Sequence, residues 1–230
     1  RRRKVEKLNY IGPWLPDPVP TLSGPEDDLE TVESLNMAFM VLMEKLNPLE
    51  RAVLVLKEAF DFSHMEIAEM LHINVSHSRQ LLRRARSSAT KLDEVNPAGQ
   101  GIESIVATFI SAAHSGEIEA MQTLLCDDVV AYTDGGGRVA AALIPLIGQE
   151  KVTTVFSHLI SRNFPNFEYS WLPTNGQSGL LIYEAGKLAS VTTFSLRHGK
   201  IAEMYVMRNP DKLKAFSGVR IEDDWIKQPE

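Results

Sequence analysis

The chain has 230 residues, 44% of them hydrophobic, with 24 Lys and Arg against 30 Asp and Glu and a formal net charge of −6. That length and apolar share suffice for one or two domains with a real core. The acidic balance argues against a protein coated in nucleic acid but leaves any single face open. No run approaches the roughly 18 consecutive apolar residues of a membrane-spanning helix, and no membrane partner is expected.

The start, RRRKVEK, has neither an apolar signal segment nor an initiator Met, so the N-terminus is read as cut. Residues 1–25 are basic and then proline-rich: NYIGPWLPDPVP places Pro13, Pro16, Pro18 and Pro20 close together, which removes backbone donors and favours extended chain. A bare spacer would not carry Tyr10, Ile11, Trp14 and Leu15, which are costly to leave in water, so the segment is expected to dock on another surface.

From Gly24 the pattern turns helical. PEDDLE puts carboxylates in a first turn, and LETVESLNMAFMVLMEKL carries the helix to about Lys45. NPLERAVLVLKEAF offers Asn47 as N-cap, Pro48 at the first helical position and Glu50 at the third. FSHMEIAEML gives a capping box from Ser63 to Glu66, with Ile67, Ala68, Met70 and Leu71 inward. HIN makes a tight turn, and Asn74 caps the next helix. There Val75, Ser78, Leu81, Leu82 and Ala85 form the inner stripe, while Ser76, His77, Gln80, Arg83 and Arg84 point outward. The result is a helix-turn-helix.

The stretch 72–88 holds Arg79, Arg83, Arg84 and Arg86 and no acid. A solvated basic face would read the same way, but two capped helices crossing at small Ala68 favour a helix for the DNA major groove, where acids would repel phosphate. Two positions depart from the pattern: His72 occupies the turn site where Gly usually supplies positive φ, and Ser78 stands where an aliphatic is usual.

DEVNPAGQG, with turn residues and no periodicity, marks a boundary at 93–101. After it, IESIVATFISAAHSG and EIEAMQTLL read as helices, VVAYTDGGGRVAAAL as two strands around a Gly-rich turn, and QEKVTTVFSHLISRN as a third helix. FEYSWLP, GLLIYE, LASVTTFSL and KIAEMYVM, joined by TNGQ, AGK and RHG, read as an antiparallel meander. The lone Cys126, in the apolar pattern MQTLLCDD read as helical, is expected as a buried, inert thiol in a reducing cytoplasm.

The stretch from LNPLER to RRAR resembles region 4 of the extracytoplasmic-function sigma factors. Together with WLPDP upstream, DGGGR at Asp134 to Arg138 and NPDKL at Asn209 to Leu213, it resembles their ECF41 group, which carries a SnoaL-like extension after region 4. The resemblance implies that region 4 reads the promoter −35 element and holds the flap of the RNA polymerase β subunit. The extension would regulate in place of a separate anti-sigma protein. Ser76, His77, Arg79, Gln80, Arg83 and Arg84 would then face the promoter, with Arg86 on the DNA backbone. Nothing here resembles region 2, which opens the −10 element in that family, so the chain is read as a fragment and region 2 as an absent partner.

The expected architecture is a helical bundle with a helix-turn-helix, followed by a SnoaL/NTF2-like, cone-shaped α+β domain. The expected boundaries are 1–25 for the linker with WLPDP, 26–92 for region 4, 93–101 for a second linker, 102–216 for the SnoaL-like domain and 217–230 for a C-terminal tail.

Catalysis is not expected, because Asp134 reads as an isolated strand acid and His114, His158 and His198 are scattered; no metal or cofactor is expected either. DGGGR lacks the following helix and GK[ST] of a phosphate loop and reads as a hairpin turn, yet three glycines also allow close approach of another chain. NPDKL reads equally as a strand end with a short helix or as a contact.

The contact expected is between Trp14, Leu15 and Pro16, the loop Asp134, Gly135, Gly136 and Gly137, and Asn209, Pro210 and Asp211, with Trp14 against the glycines. The alternative is a one-component transcription regulator with a small ligand in the SnoaL-like pocket.

Overall fold

The structure, a computed structural model, describes residues 10–21, 37–93, 101–163 and 166–217. The chain forms two compact units, Ala38–Glu94 and the remainder, Arg1–Met37 with Val95–Glu230. The early turns of the helix expected after Gly24, most of the 93–101 linker and the tail beyond Ser217 lie outside the described residues.

The helical unit is built by its caps. Helix α1 (Met37–Lys45) ends at Leu46, and Asn47 opens α2 (Pro48–Glu58): its side chain accepts from Glu50 N at 2.9 Å while its own N–H donates to Glu50 Oε2 at 3.2 Å. Ser63 and Glu66 repeat the reciprocal box at the start of α3 (His64–Met70), and Asn74 Oδ1 accepts from His77 N at 2.7 Å at the start of α4 (Val75–Asp93). Each box satisfies backbone donors that the helix itself cannot. Between α3 and α4, His72 takes the left-handed conformation at φ 52°, the role glycine would fill. Leu42, Leu46, Val53, Leu54, Ile67, Leu81, Leu82 and Ala85 make the core. Met70, expected inward, is 44% exposed: it is the last residue of α3, and Leu71 and Ile73 of the turn pack on the core instead.

In the second unit, α5 (Ile102–Ser115), α6 (Ile118–Thr123) and α7 (Gln149–His158) pack on one face of a six-stranded sheet. The strands are β1 (Leu125–Asp134), β2 (Leu146–Ile147), β3 (Glu168–Thr174), β4 (Gln177–Glu184), β5 (Lys187–Arg197) and β6 (Lys200–Met207), in the order β2-β1-β6-β5-β4-β3. This is the α+β architecture expected for the SnoaL-like domain. Only β1 with β6 is parallel; the other pairs are antiparallel. Val106, Phe109 and Ala113 of α5, Met121, Val152, Val129, Ala131, Leu180, Phe194 and Met204 fill the space between helices and sheet.

The meander closes through three two-residue turns, Asn175-Gly176, Ala185-Gly186 and His198-Gly199, with both residues of each at positive φ. That backbone matches the twist of paired strands.

Two expectations need correction. RVAAAL is not a strand. Gly136 and Gly137 adopt positive φ, Arg138 N bonds back to Gly135 O at 2.9 Å, and the chain leaves the sheet; side chains hold it there, the Thr133 hydroxyl accepting from Ala142 N at 2.8 Å and donating to Ala142 O at 3.2 Å, and Arg208 Nη1 donating to Ala140 O at 2.5 Å. The antiparallel neighbour of β1 is the short β2, paired through Val130 with Ile147 and Ala131 with Leu146. Cys126 is buried, but it lies in β1, because the helix ends at Thr123.

Ala185 is the one first-position turn residue without a side chain suited to the left-handed region, at φ 50°. Replacing it by Asn should raise stability by about 0.5–1 kcal/mol, read as a higher thermal midpoint. An unchanged or lower midpoint would show that the turn bears no such strain.

Candidate functional site

Two sets of side chains are placed for function. The first is the outward face of α4. Ser76, Arg79, Gln80, Arg83, Arg84 and Arg86 are exposed and His77 is partly so. Arg86 also forms an ion pair with Glu58 at the end of α2, at 2.8 Å from Nη2, and thus ties the two helices together besides lying on the expected DNA side. Such an exposed pair contributes little to stability. Ser78 is fully buried and meets His64 Nδ1 at 2.9 Å, which accounts for a hydroxyl where an aliphatic is usual.

The second set lies where the chain segment 10–21 crosses the SnoaL-like domain. Asp134, the last residue of β1, has no exposure, so its carboxylate needs partners. Its Oδ2 accepts from Leu15 N at 3.0 Å and Lys212 Nζ at 2.8 Å, and its Oδ1 from Gly136 N at 3.1 Å and from the Tyr10 hydroxyl. Its backbone carbonyl accepts from Arg208 N and Asn209 N, both at 2.8 Å. Asn209 caps α8 (Pro210–Leu213), accepting from Asp211 N at 3.0 Å, and donates from Nδ2 to the Tyr10 oxygen at 2.8 Å. Burial, and then the bond to anionic Asp134, push the Tyr10 phenol well above its ordinary pKa, so it stays a donor.

Lys212 completes the arrangement. Its ammonium donates to Leu15 O as well as Asp134, lies 3.7 Å from Asp17, and sits 3.8 Å from the centre of the Trp14 ring and 5.1 Å from that of Tyr10. The two rings meet edge to face at 4.5 Å. The Leu15 side chain beside them is buried.

The glycines give room for this. A Cβ on Gly136 would stand 2.3 Å from Asn209 Nδ2 and 3.1 Å from the Tyr10 oxygen, and one on Gly137 would stand 2.8 Å from Ile11 Cδ1. Further along, Val19 N donates to Asn175 Oδ1 at 2.6 Å, Asn175 N to Val19 O at 2.9 Å, and Thr21 N to Pro173 O at 2.8 Å, so that Pro20 bridges to Thr174 on the edge strand β3.

The structure thus brings Trp14, Leu15, Asp134, Gly136, Asn209 and Asp211 into one neighbourhood. Arg138 reaches Asp211 at 2.9 Å, Gly135 makes the turn, Pro210 opens α8, and Pro16 follows Leu15, partly buried. Trp14 is not the residue against the glycines: Tyr10 and Ile11 are, and Trp14 faces Lys212.

Asp134 is neither isolated nor the only strand acid, since Asp127, Asp128, Glu168, Glu184 and Glu203 also lie in strands. With its oxygens committed to Lys212, Tyr10 and two backbone donors, Asp134 is equipped to hold chain segments together rather than to move protons. Lys212 is the functional side chain that the sequence did not single out, although it is the lysine of NPDKL, and Tyr10, expected only as an apolar docking residue, acts through its hydroxyl. Among the described residues no three His, Cys, Asp or Glu stand close enough to share a metal ion, and no helix is long and apolar enough to cross a membrane.

Residues 36–88 match the family described as Sigma-70, region 4. Over 222 residues the chain is 30% identical to the ECF RNA polymerase sigma factor SigJ of Mycobacterium tuberculosis, covering 88% of this chain and 70% of that protein. The chain belongs to the extracytoplasmic-function sigma factors. It is also 27% identical over 193 residues to the probable ECF RNA polymerase sigma factor SigI of the same organism, covering 82% of this chain and 63% of that one. The crystal structure of SigJ superposes with a TM-score of 0.70 at 27% identity, over 93% of this chain and 78% of that chain. The motifs WLPDP, DGGGR and NPDKL are consistent with the ECF41 group. Sigma factors serve transcription initiation with RNA polymerase at promoters and are not enzymes.

Asp134→Asn should destabilise the SnoaL-like unit by about 3–5 kcal/mol, because it removes the buried counter-charge of Lys212 and leaves only the exposed Asp17 at 3.7 Å. Lys212→Met should cost a similar amount, and the double variant clearly less than the sum. Additive losses in denaturant unfolding would show that the two groups are not coupled.

Proposed function

We propose that this sigma factor chain recognises the promoter −35 element through α4 and binds the β flap of core RNA polymerase through the same helical unit, in the cytoplasm. In this reading the SnoaL-like domain regulates the factor by holding the linker that leads into region 4, and so constrains where region 4 stands relative to region 2. The observation that carries the first part is the outward row of α4, with Arg79, Arg83 and Arg84 exposed and no acid among them, on a helix whose inner residues Leu81, Leu82 and Ala85 lie in the core. Arginine at such positions can bridge phosphates or guanine edges. The second part is supported by the donors that converge on Asp134 from the linker, the glycine loop and α8.

The DNA assignment is tested by Arg83→Ala and Arg84→Ala. Each lost phosphate contact should lower the slope of log affinity against log salt by roughly 0.9, and loss of a base contact should cost about 1–3 kcal/mol at one base step. Unchanged slope and unchanged sequence preference in both variants would end the assignment. Trp14→Ala should alter binding of the chain to core RNA polymerase while leaving its affinity for a −35 duplex as it was. If polymerase binding is the same with and without Trp14, the linker does not carry regulation.

A further inference from the structure

Ser78 occupies the fourth position of α4 with its side chain turned into the helix-turn-helix and no exposure. A buried hydroxyl requires a partner, and its partner is His64 Nδ1 at 2.9 Å, on the first residue of α3. One ring nitrogen is therefore committed to the interior. The ring as a whole is partly exposed, so Nε2 is the nitrogen left for a partner from outside. If the Ser78 hydroxyl donates to Nδ1, the ring proton belongs on Nε2, which makes the outer nitrogen a hydrogen-bond donor.

The surroundings of the ring favour an anion. Arg79 and Arg86 of α4 and Lys57 of α2 act on it; desolvation first, and then these cations, hold the His64 pKa below its ordinary value. The neighbouring acids are engaged elsewhere: Asp61 with Lys57 at 2.8 Å, Glu66 in the capping box with Ser63, and Glu58 with Arg86 at 2.8 Å. Arg79 makes no ion pair with a described residue. In helix-turn-helix complexes the first helix crosses the sugar–phosphate backbone while the second enters the groove.

We propose that His64 is a DNA phosphate contact, its Nε2–H donating to a backbone oxygen beside Arg79, with Ser78 as the positioning residue that fixes the ring and its tautomer. The inference rests on the reading of α4 as the DNA-recognition helix. It adds a pH dependence. A phosphate against the ring favours the imidazolium, so the His64 pKa rises on binding and a proton is taken up. Affinity therefore increases as pH falls from above the bound pKa towards the lowered free one, and levels off below it.

The test is anisotropy titration of the chain with a mixed-sequence duplex of about 25 base pairs between about pH 5.5 and 8, since a phosphate contact needs no particular sequence. The chain should bind about 3- to 10-fold more tightly at the acid end, with a salt slope steeper by roughly 0.9. His64→Gln should flatten the pH gradient, and His64→Lys should keep the steep slope at every pH. His72→Gln and His77→Gln, on the same unit, should retain the gradient. Ser78→Ala, checked for an intact thermal transition, should weaken the gradient by freeing the ring, an effect that mere loss of packing would not produce. A gradient that survives in both His64 variants, or that disappears only with His77 or His72, overturns the proposal. Failure of the unaltered chain to bind any duplex would instead overturn the reading of α4.

Discussion

The buried ion pair between Asp134 and Lys212 is the constraint on which the SnoaL-like unit's hold on the linker depends. A carboxylate with no exposure must have its lone pairs filled, and a lysine side chain only 8% exposed must give its protons to acceptors. Both needs are met only when distant pieces of chain converge: Tyr10 and Leu15 from the linker, Gly136 from the loop after β1, and Asn209 and Lys212 from the turn and helix after β6. Breaking one side of a buried pair costs several kcal/mol, far more than a surface pair contributes. The linker therefore cannot lift partway: once Leu15 N and Tyr10 leave, Asp134 loses two of its four side-chain bonds and Lys212 loses an acceptor and the ring beneath it.

This chemistry explains the composition of the three short motifs. In DGGGR the aspartate is the acceptor, the glycines let Tyr10, Asn209 and Ile11 approach at distances that any Cβ would block, and the arginine reaches Asp211. In NPDKL the asparagine both caps α8 and donates to Tyr10, the proline opens the helix, and the lysine supplies the counter-charge. In WLPDP the indole lies under that lysine, and Leu15 gives its side chain to the core and its N–H to the carboxylate.

Local signals were readable where the physics is local. The capping boxes at Asn47 and Ser63, the cap at Asn74 and the X-Gly turns of the meander depend on residues two to four apart, and the structure places them as the sequence implies. What the sequence hid was set by distance. Lys212 is 78 positions from Asp134, and Tyr10 is 124, so a lone strand aspartate gave no sign of either partner. RVAAAL misled because its apolar residues fit a strand, whereas tertiary bonds from Thr133 to Ala142 keep that chain beside the sheet without a ladder. Met70 misled because, three residues after Ile67, it falls to one side of the arc on which Ile67, Ala68 and Leu71 face the core.

The proline spacing of the linker has its own logic. Pro13, Pro16, Pro18 and Pro20 carry no N–H, so the donors left in that stretch are few, and those of Leu15 and Val19 go to Asp134 and Asn175. No strand partner is needed along most of its length, because a polyproline-like chain makes no internal hydrogen bonds and loses little conformational freedom on docking. Two anchors at either end, the Asp134 cluster and the Pro20–Thr174 bridge, then suffice to fix about ten residues. A flexible sequence of the same length would need more contacts to offset its ordering. The prolines thus allow a small set of bonds around one buried carboxylate to decide whether the whole segment is held.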